Sequence, residues 1–398
     1  MAKISVLKSG EDEWSPFLRG ILVQSLVNAG LPFAEAYELA QQVRNELQDE
    51  QEISSGRLRK LVACMLEARH GKALRNAYEA RPQQQPGIIV HTPTRSAPFS
   101  AGILSHSLEA CGISPDVALQ GARKVFARLQ QTGHREINHK ALRRVIYRCL
   151  NDHCSAGMAE RYLSWRRFEN SGDALIVLVG GTTGSGKSTV SAELAHRMSI
   201  SRSQSTDMMR EIIRAYLSPQ VVPTLGYSSF EAWRGLPGSI EGQTLEIENL
   251  VIAGFLSQFS AMRLALEATI NRAISERHHL IVEGVHVVPT ELNLDIRNRN
   301  AIVVPLTLAT MKKMLLRKQL KRRDRESSSR PKSRYLDKLD DIWELQSWLL
   351  SEADRAGIPI IQNWYIEDTV NQAMAHVTEV IMKHYPPHAP DEDDDVWH

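Results

Sequence analysis

The apolar run Ala174-Leu-Ile-Val-Leu-Val179 is followed directly by Gly180-Gly-Thr-Thr-Gly-Ser-Gly-Lys-Ser-Thr189. This stretch is the strongest indication of the fold of the second half of the chain. Six consecutive apolar residues are typical of a parallel strand buried on both faces. The segment that follows, up to Met198, has the pattern of an amphipathic helix. Residues 181–188 match the pattern GxxxxGK[ST] in the required order of strand, loop and helix. The sequence therefore predicts a loop that binds nucleotide phosphates, with a purely structural turn as the alternative.

The residue types of this loop suit that chemistry. Glycines allow the backbone to turn successive N–H groups toward an anionic phosphate, and the N-terminus of the next helix adds partial positive charge. Lys187 supplies a cation for the β- and γ-phosphates, and the Ser188 hydroxyl can ligate Mg²⁺. We therefore expect ATP and Mg²⁺ as cofactors and Lys187 as a catalytic residue. The residues predicted to bind the nucleotide are Gly181, Thr182, Thr183, Gly184, Ser185, Gly186, Lys187, Ser188 and Thr189.

Two acidic residues are predicted to lie beside the loop. Residues 202–206 are expected to form a short strand that delivers Asp207 to the carboxyl edge of the sheet, where open α/β folds bind ligands. Residues 280–286 read as the next buried strand, with Glu283 near its end. Asp207 is predicted to ligate Mg²⁺ or to accept the proton of an attacking hydroxyl, and Glu283 to ligate Mg²⁺. The alternative for Asp207 is an N-cap of the following helix.

Basic residues near these acids predict a phosphorylated substrate. Arg210 and Arg214 are one helical turn apart, so they face the same way, and guanidinium groups suit phosphate recognition. His286 is a third candidate for substrate contact, although a lone histidine in a loop is often structural. Between residues 312 and 334 there are eleven Lys or Arg. We interpret this segment as a lid that closes over the transferring phosphoryl group, with Arg322 and Arg325 as catalytic candidates and Arg323 as a third.

The alternatives for the basic segment are a solvated helix face or a nucleic-acid patch. No aromatic platform accompanies it, which disfavours binding of single strands. Two more apolar segments, 301–306 and 358–361, bring the number of expected strands to five. The fold predicted for this half is an α/β domain with a five-stranded parallel sheet and helices on both faces.

The first 165 residues contain an internal repeat. Pro16-Phe17 and Gly30-Leu31 recur at an offset of 82 as Pro98-Phe99 and Gly112-Ile113. After two additional residues the offset becomes 84, and the matches continue to the end of each copy. Apolar residues at three- and four-residue spacing predict mostly helical units, each opened by a short strand at residues 4–7 or 88–90. The two glycines are expected in left-handed helix caps, and residues 81–87 read as a linker.

Composition limits the remaining possibilities. The 398 residues contain 48 Lys and Arg against 46 Asp and Glu, so no overall charge favours nucleic acid or membrane as a partner. The first residues, MAKISVLKSGEDEW, do not contain the apolar stretch expected of a signal peptide, and no apolar run approaches the ~18 residues that span a bilayer. Four cysteines are too few for a disulfide framework in a chain of this length. We expect a cytoplasmic protein; an assembly of identical chains is left open.

Each repeat resembles the ATP-cone, a regulatory nucleotide-binding module. Val6-Leu7-Lys8, Gly30-Leu31 and residues 57–59 carry that resemblance in the first copy, whereas the second has His91-Thr92 where the basic hairpin would lie. The resemblance implies a regulatory nucleotide at the repeats; a duplicated scaffold that binds nothing is the alternative. The expected organisation is two cone-like repeats at residues 1–82 and 83–168, a kinase domain at 169–385, and an acidic tail at 386–398.

The combination resembles the 2-phosphoglycerate kinase family. The matching stretches are residues 180–189, Ser205-Thr-Asp207 with Arg210-Glu211, Ser228-Ser-Phe-Glu-Ala232 and Val282-Glu-Gly-Val-His-Val-Val-Pro289. The resemblance implies transfer of the ATP γ-phosphoryl to the 3-hydroxyl of 2-phosphoglycerate, a small phosphorylated metabolite. An inositol-phosphate-type kinase and a non-catalytic ATP-sensing regulator are the alternatives. Because the phosphoryl-transfer residues all follow Gly180, a chain starting near Glu160 is expected to remain active.

Overall fold

The computed structural model describes residues 5–7, 14–17, 22–23, 25–26, 29–47, 52–79, 88–93, 96–133, 135–218, 220–237, 249–294, 300–326 and 335–388. These residues form two compact units, Met1–Gly87 and Ile88–His398. The division falls in the predicted linker, residues 81–87, which itself lies outside the described residues. The second unit therefore contains both the second repeat and the α/β region. The finer domain boundaries given above stay predictions.

The first unit begins with a small sheet. Its strands are β1 (Ser5–Leu7), β2 (Trp14–Pro16) and β3 (Glu52–Ser54), and β1 lies in the centre, antiparallel to β2 and parallel to β3. The described helices are α1 (Phe33–Glu46), α2 (Ser55–His70) and α3 (Lys72–Glu79). Ser54 caps α2 by accepting a hydrogen bond from the Arg57 amide.

The second repeat has the same strand pairing as the first and one more described helix. Strands β4 (Ile89–His91), β5 (Ser96–Pro98) and β6 (Glu136–Asn138) pair as β1, β2 and β3 do. Helices α4 (Ala101–Ala110), α5 (Pro115–Gln131), α6 (His139–His153) and α7 (Ala156–Ser171) complete it. Gly30 and Gly112 both have positive φ, as predicted for left-handed caps. Apolar residues at equivalent positions are buried in both copies, including Ala36 and Ala118.

The predicted five-stranded parallel sheet is confirmed. Its strands are β7 (Ala174–Gly180), β8 (Ser203–Ser205), β9 (Leu280–Glu283), β10 (Ala301–Ala309) and β11 (Ile360–Gln362). They lie in the order β11-β10-β7-β9-β8, and every pair is parallel. The strand before the glycine loop is therefore central. The chain continues to opposite sides of it, which makes its carboxyl end the topological switch point where α/β folds bind ligands.

Alternation along β7 divides the core between two faces of the sheet. Leu175 and Val177 belong to a core shared with the second repeat and with helices α8 (Lys187–Arg197) and α13 (Ile366–His384). Ile176 and Leu178 point to the other face, where they pack with α10 (Leu250–Ser275). This period of two on a fully buried strand is the physical reason for helices on both faces.

The long helix α10 is the one described helix that is apolar and long enough to cross a membrane, with 44% of its most apolar window buried in the protein. Its side chains Phe255, Phe259 and Met262 are buried in cores of the α/β region. A core helix passes the same test of length and composition. We interpret α10 as a core element.

Candidate active site

The glycine loop has a backbone geometry that few other residue types could adopt. Gly184 and Gly186 have φ values of 87° and 86°, in the left-handed region that favours glycine. At Gly186 a β-carbon would also collide with the side-chain amide of Asn363. The loop ends where α8 begins at Lys187, so backbone N–H groups and the helix N-terminus converge on one place.

Lys187 and Ser188 project from the first turn of α8 into this site. Lys187 Nζ donates a hydrogen bond to the carbonyl oxygen of Thr182 at 2.6 Å, which folds the ammonium group back over the loop. Ser188 Oγ donates to Glu283 Oε1 at 2.9 Å. Glu283 is the last residue of β9 and is 8% exposed, so a nearly buried carboxylate faces the loop hydroxyl. The structure thus brings Ser188 and Glu283, both predicted as Mg²⁺ ligands, within hydrogen-bonding distance of each other.

Oxygen donors of this kind fit Mg²⁺, which takes one or two protein ligands and completes its shell with phosphates and water. Among the described residues there is no group of three or more His, Cys, Asp or Glu side chains that could enclose a metal ion. The Ser188–Glu283 pair therefore suits an ion shared with nucleotide phosphates better than a closed structural site.

Asp207 follows β8 (Ser203–Ser205), the strand that pairs with β9 on the side away from the glycine loop. Ser205 pairs with Glu283 in the sheet register, and Asp207 is the second residue of α9 (Thr206–Tyr216). Ser205 occupies the N-cap position, so the alternative of Asp207 as N-cap does not hold. The Asp207 carboxylate is exposed at the carboxyl edge of the sheet. It is therefore accessible to a substrate and lies on the same edge as the loop.

Arg210 and Arg214 occupy different environments on α9. Arg210 donates from one terminal nitrogen to the Tyr227 carbonyl oxygen at 2.8 Å and from the other to Glu211 at 3.1 Å. Its side chain is 14% exposed, and its Nε is buried with no hydrogen-bond partner in the described part of the chain. Arg214 pairs with Glu211 and is 43% exposed. The structure thus holds Arg210 tightly and leaves Arg214 near solvent.

The substrate contact predicted for His286 is corrected by the structure. The side chain has no exposed surface, and both ring nitrogens have partners inside the protein. Gln258 Nε2 donates to the carbonyl oxygens of Thr224 and Tyr227, so its Oε1 accepts from His286 Nε2 at 2.8 Å. His286 Nδ1 then accepts from the Thr206 hydroxyl at 3.3 Å.

Burial fixes the charge state of this histidine. Desolvation lowers the pKa of His286 to about 3, while the Asp207 carboxylate opposes the shift and Arg210 and Lys187 add to it. The neutral ring bridges Thr206, next to Asp207, and Gln258, which holds the same Tyr227 carbonyl that Arg210 contacts. His286 thus links Thr206 at the start of α9 to Gln258 of α10.

Sequence reasoning missed three buried amides, because Asn and Gln carry no motif. Asn363 Nδ2 donates to the Ser185 carbonyl at 2.9 Å, which links β11 to the glycine loop. Gln346 lies on α12 (Leu339–Arg355) and accepts from the Thr182 hydroxyl at 3.4 Å. Together with Gln258, these residues support loop and site from behind. The one feature of the sequence that could have pointed to these three amides is that each lies in an otherwise apolar segment.

The basic segment begins with α11 (Lys313–Glu326), whose residues Leu316 and Leu320 are buried beside Gly184. Arg322, Arg323 and Arg325 lie in the last turns of this helix, and their side chains fall outside the described residues. Residues 327–334 also lie outside them. The lid and its arginines therefore stay predictions, while the first half of the segment packs on the loop.

Comparison with known proteins shows that the chain is similar to 2-phosphoglycerate kinases. No family model matches the chain. A 2-phosphoglycerate kinase of Methanopyrus kandleri is 34% identical over 305 residues, which cover 76% of this chain and 91% of the relative. The 2-phosphoglycerate kinases of Pyrococcus furiosus and Methanocaldococcus jannaschii are 35% and 34% identical, covering 71% and 74% of this chain and 90% and 92% of theirs.

Proposed function

Because this chain belongs to the 2-phosphoglycerate kinase family, we propose that it transfers the γ-phosphoryl group of ATP to the 3-hydroxyl of 2-phosphoglycerate. The product is 2,3-bisphosphoglycerate. The observation that carries the proposal is the hydrogen bond between Ser188 and Glu283 beside Lys187, at the edge of the sheet that also carries Asp207. The family favours this reading over an inositol-phosphate kinase. It also favours an enzyme over a non-catalytic ATP sensor.

The nucleotide is held by the loop from Gly181 to Thr189. Its backbone N–H groups and the α8 N-terminus face the β-phosphate, and Lys187 moves from the Thr182 carbonyl to the β- and γ-phosphates. Ser188 and Glu283, with Asp207 as a further donor, would hold Mg²⁺, which when bound neutralises charge on the phosphate oxygens. The position of Asp207 at the carboxyl edge of the sheet supports its role as a Mg²⁺ ligand.

The acceptor is held from the side of α9. Arg210 lies one helical turn from Asp207 and its side chain is 14% exposed; its terminal nitrogens would donate to a phosphate or carboxylate oxygen of 2-phosphoglycerate. Arg214 adds positive charge at the rim. The exposed Asp207 carboxylate orients the acceptor hydroxyl and accepts its proton as the oxygen attacks the γ-phosphorus in line; the bond from that phosphorus to the β–γ bridging oxygen breaks, and ADP leaves. Arg322 and Arg325 would complete the charge around the transferring group.

A product assay tests this function. The purified chain is supplied with ATP, Mg²⁺ and one of 2-phosphoglycerate, 3-phosphoglycerate or an inositol phosphate, and ³¹P NMR identifies the product. We expect a new phosphomonoester only with 2-phosphoglycerate, and a loss of roughly 10²-fold or more in turnover for Lys187→Ala. ATP turnover without an acceptor dependence, or a preference for the inositol phosphate, would contradict the proposal.

The N-terminal repeats are proposed to bind a regulatory nucleotide, as the ATP-cone resemblance implies. Arg57 and Arg59 lie in the first turns of α2, while Lys8 falls outside the described residues. In the second copy His91 is engaged by Ser96 at 2.7 Å and Glu136 at 3.3 Å, which favours the first copy as the binding site. We also propose that the protein is located in the cytoplasm.

A further inference from the structure

A cluster of large apolar side chains is exposed beside the glycine loop. Met311 and Met314 follow β10, and Trp364 and Tyr365 follow β11; they are 52%, 82%, 50% and 72% exposed. Ala309 pairs with Gln362 in the sheet, so Met311 and Trp364 each lie two residues beyond paired positions. Exposed aromatic and thioether surface is unfavourable in water and is often used for binding. We call these four residues the apolar platform.

The apolar platform is joined to the loop by direct contacts. Asn363, which precedes Trp364, donates its side-chain amide to the Ser185 carbonyl and its backbone N–H to Ala309. Leu316 and Leu320 of α11 pack beside Gly184, which fixes Met314 in the first turn of the same helix. Lys312 Nζ lies 5.3 Å from the centroid of the Trp364 ring, a cation–π distance. The platform is therefore held by the loop and α11.

The strand order assigns this side of the loop to the nucleoside. Glu283 ends β9 and Asp207 follows β8, on one side of the central strand β7, and the reacting γ-phosphate must face these two carboxylates. Strands β10 and β11 lie on the other side. An extended nucleotide whose γ-phosphate points toward β9 must direct its base toward β10 and β11, where the only exposed aromatic rings in the described part of that edge are Trp364 and Tyr365.

We infer that the apolar platform is the site for the purine base of ATP, with the base against the indole of Trp364 and the thioethers of Met311 and Met314. Aromatic stacking and sulfur contacts favour a planar π system. Lys312 would lie between the ring and the phosphate chain. This inference rests on the proposed use of ATP and extends it to residues that no motif identifies.

Calorimetric titration with two ligands separates base from phosphate binding. Mg²⁺-ATP and Mg²⁺-tripolyphosphate, which lacks a base, are titrated into the full chain and into Trp364→Leu. Because loss of the stacking of one base on an aromatic side chain typically weakens binding roughly 5- to 150-fold, we expect the ATP affinity to fall by a factor in that range. Tripolyphosphate affinity should change less than about twofold. Trp364→Phe should retain most of the ATP affinity.

A matched control is Tyr216→Leu, since Tyr216 is 86% exposed at the far end of α9; both of its affinities should stay unchanged. Near-UV circular dichroism checks that each variant folds. If Trp364→Leu does not fold, Met314→Ala takes its place, since Met314 belongs to the apolar platform and is 82% exposed; it should likewise weaken ATP and not tripolyphosphate. Unchanged ATP affinity in Trp364→Leu, or equal losses for both ligands, would overturn the inference. If the unsubstituted chain binds neither ligand, the proposed function fails instead.

Discussion

At the scale of single residues, the pair formed by Ser188 and Glu283 is the most direct link between structure and chemistry. The Glu283 carboxylate is nearly buried and receives one hydrogen bond from Ser188. Glu283→Gln keeps the size and an acceptor oxygen but removes the negative charge that a cation needs. We expect turnover to fall about 10²-fold and the Mg²⁺ concentration for half-maximal rate to rise. Both are measured in a magnesium titration of the kinase assay.

The control for this substitution is Glu291→Gln. Glu291 is exposed in the short 3₁₀ helix Pro289–Glu291 after the same strand. Its replacement removes the same charge from the neighbourhood without touching Ser188. An equal effect of both substitutions would mean that Glu283 acts through general charge and not as a ligand.

The buried His286 makes a prediction about acid stability. Its pKa is lowered to about 3 in the folded chain from 6.5, its ordinary value. Between these values the unfolded chain binds a proton that the folded chain does not, so stability is present above pH 6.5 and declines as pH falls. At pH 5 the loss from this group is about 2 kcal/mol. His286→Gln should remove that part of the decline.

Denaturant unfolding at pH 7.5 and pH 5 measures this difference, with His384→Gln as the matched control. His384 lies on the exposed last turn of α13. The unsubstituted chain and the control should lose stability in parallel, while His286→Gln should lose about 2 kcal/mol less. Parallel decline of all three would show that His286 keeps an ordinary pKa in the folded chain.

At the scale of elements, α9 presents two arginines that the sequence could not distinguish. Arg210 is held by the Tyr227 carbonyl and is 14% exposed, whereas Arg214 is nearly half exposed and paired with Glu211. Arg210→Ala should raise the Michaelis constant for 2-phosphoglycerate tenfold or more, because a charged hydrogen bond to the substrate is lost. Arg214→Ala should raise it only a few-fold, as expected for a screened surface charge.

Initial rates at varied ATP and varied acceptor test both substitutions side by side. The Michaelis constant for ATP should change less than that for the acceptor in each variant. If Arg210→Ala weakens ATP and leaves the acceptor unaffected, the arginine contacts the nucleotide and α9 is not the acceptor side.

At the scale of the whole molecule, the second repeat shares a core with the sheet. Leu108, Leu129 and Leu150 are almost fully buried in the same cluster as Val177 and Val370. A chain starting near Glu160 would expose this face, and the structure therefore argues against the expectation that it stays active. A chain starting at Ile88 keeps the whole second unit. It should fold and transfer phosphoryl groups.

Thermal unfolding and the kinase assay compare the two shortened chains with the full one. For the chain that starts at Ile88 we expect a cooperative transition and turnover within a few-fold of the full chain. For the chain that starts at Glu160 we expect both to be lost, because a large apolar surface that the second repeat covers becomes exposed to water. Full activity of the shorter chain would show that the second repeat is dispensable for the fold of the sheet.

Features of the fold that depend on residues close together in the chain could be predicted from the sequence alone. The glycine loop, its lysine and serine, and the approximate places of the five strands follow from local residue order, since strand, loop and helix are set within about twenty residues. The duplication was equally visible, and positions such as Ala36 and Ala118 are buried as their spacing predicts.

Contacts between residues that are far apart in the sequence are seen only in the three-dimensional structure. It placed β7 in the centre, brought Glu283 within hydrogen-bond reach of Ser188, and buried His286 between Gln258 and Thr206. It also joined the second repeat to the sheet through a common core. Sheet order and side-chain burial depend on contacts between segments dozens of residues apart, and no local pattern specifies which buried amide will satisfy which buried ring.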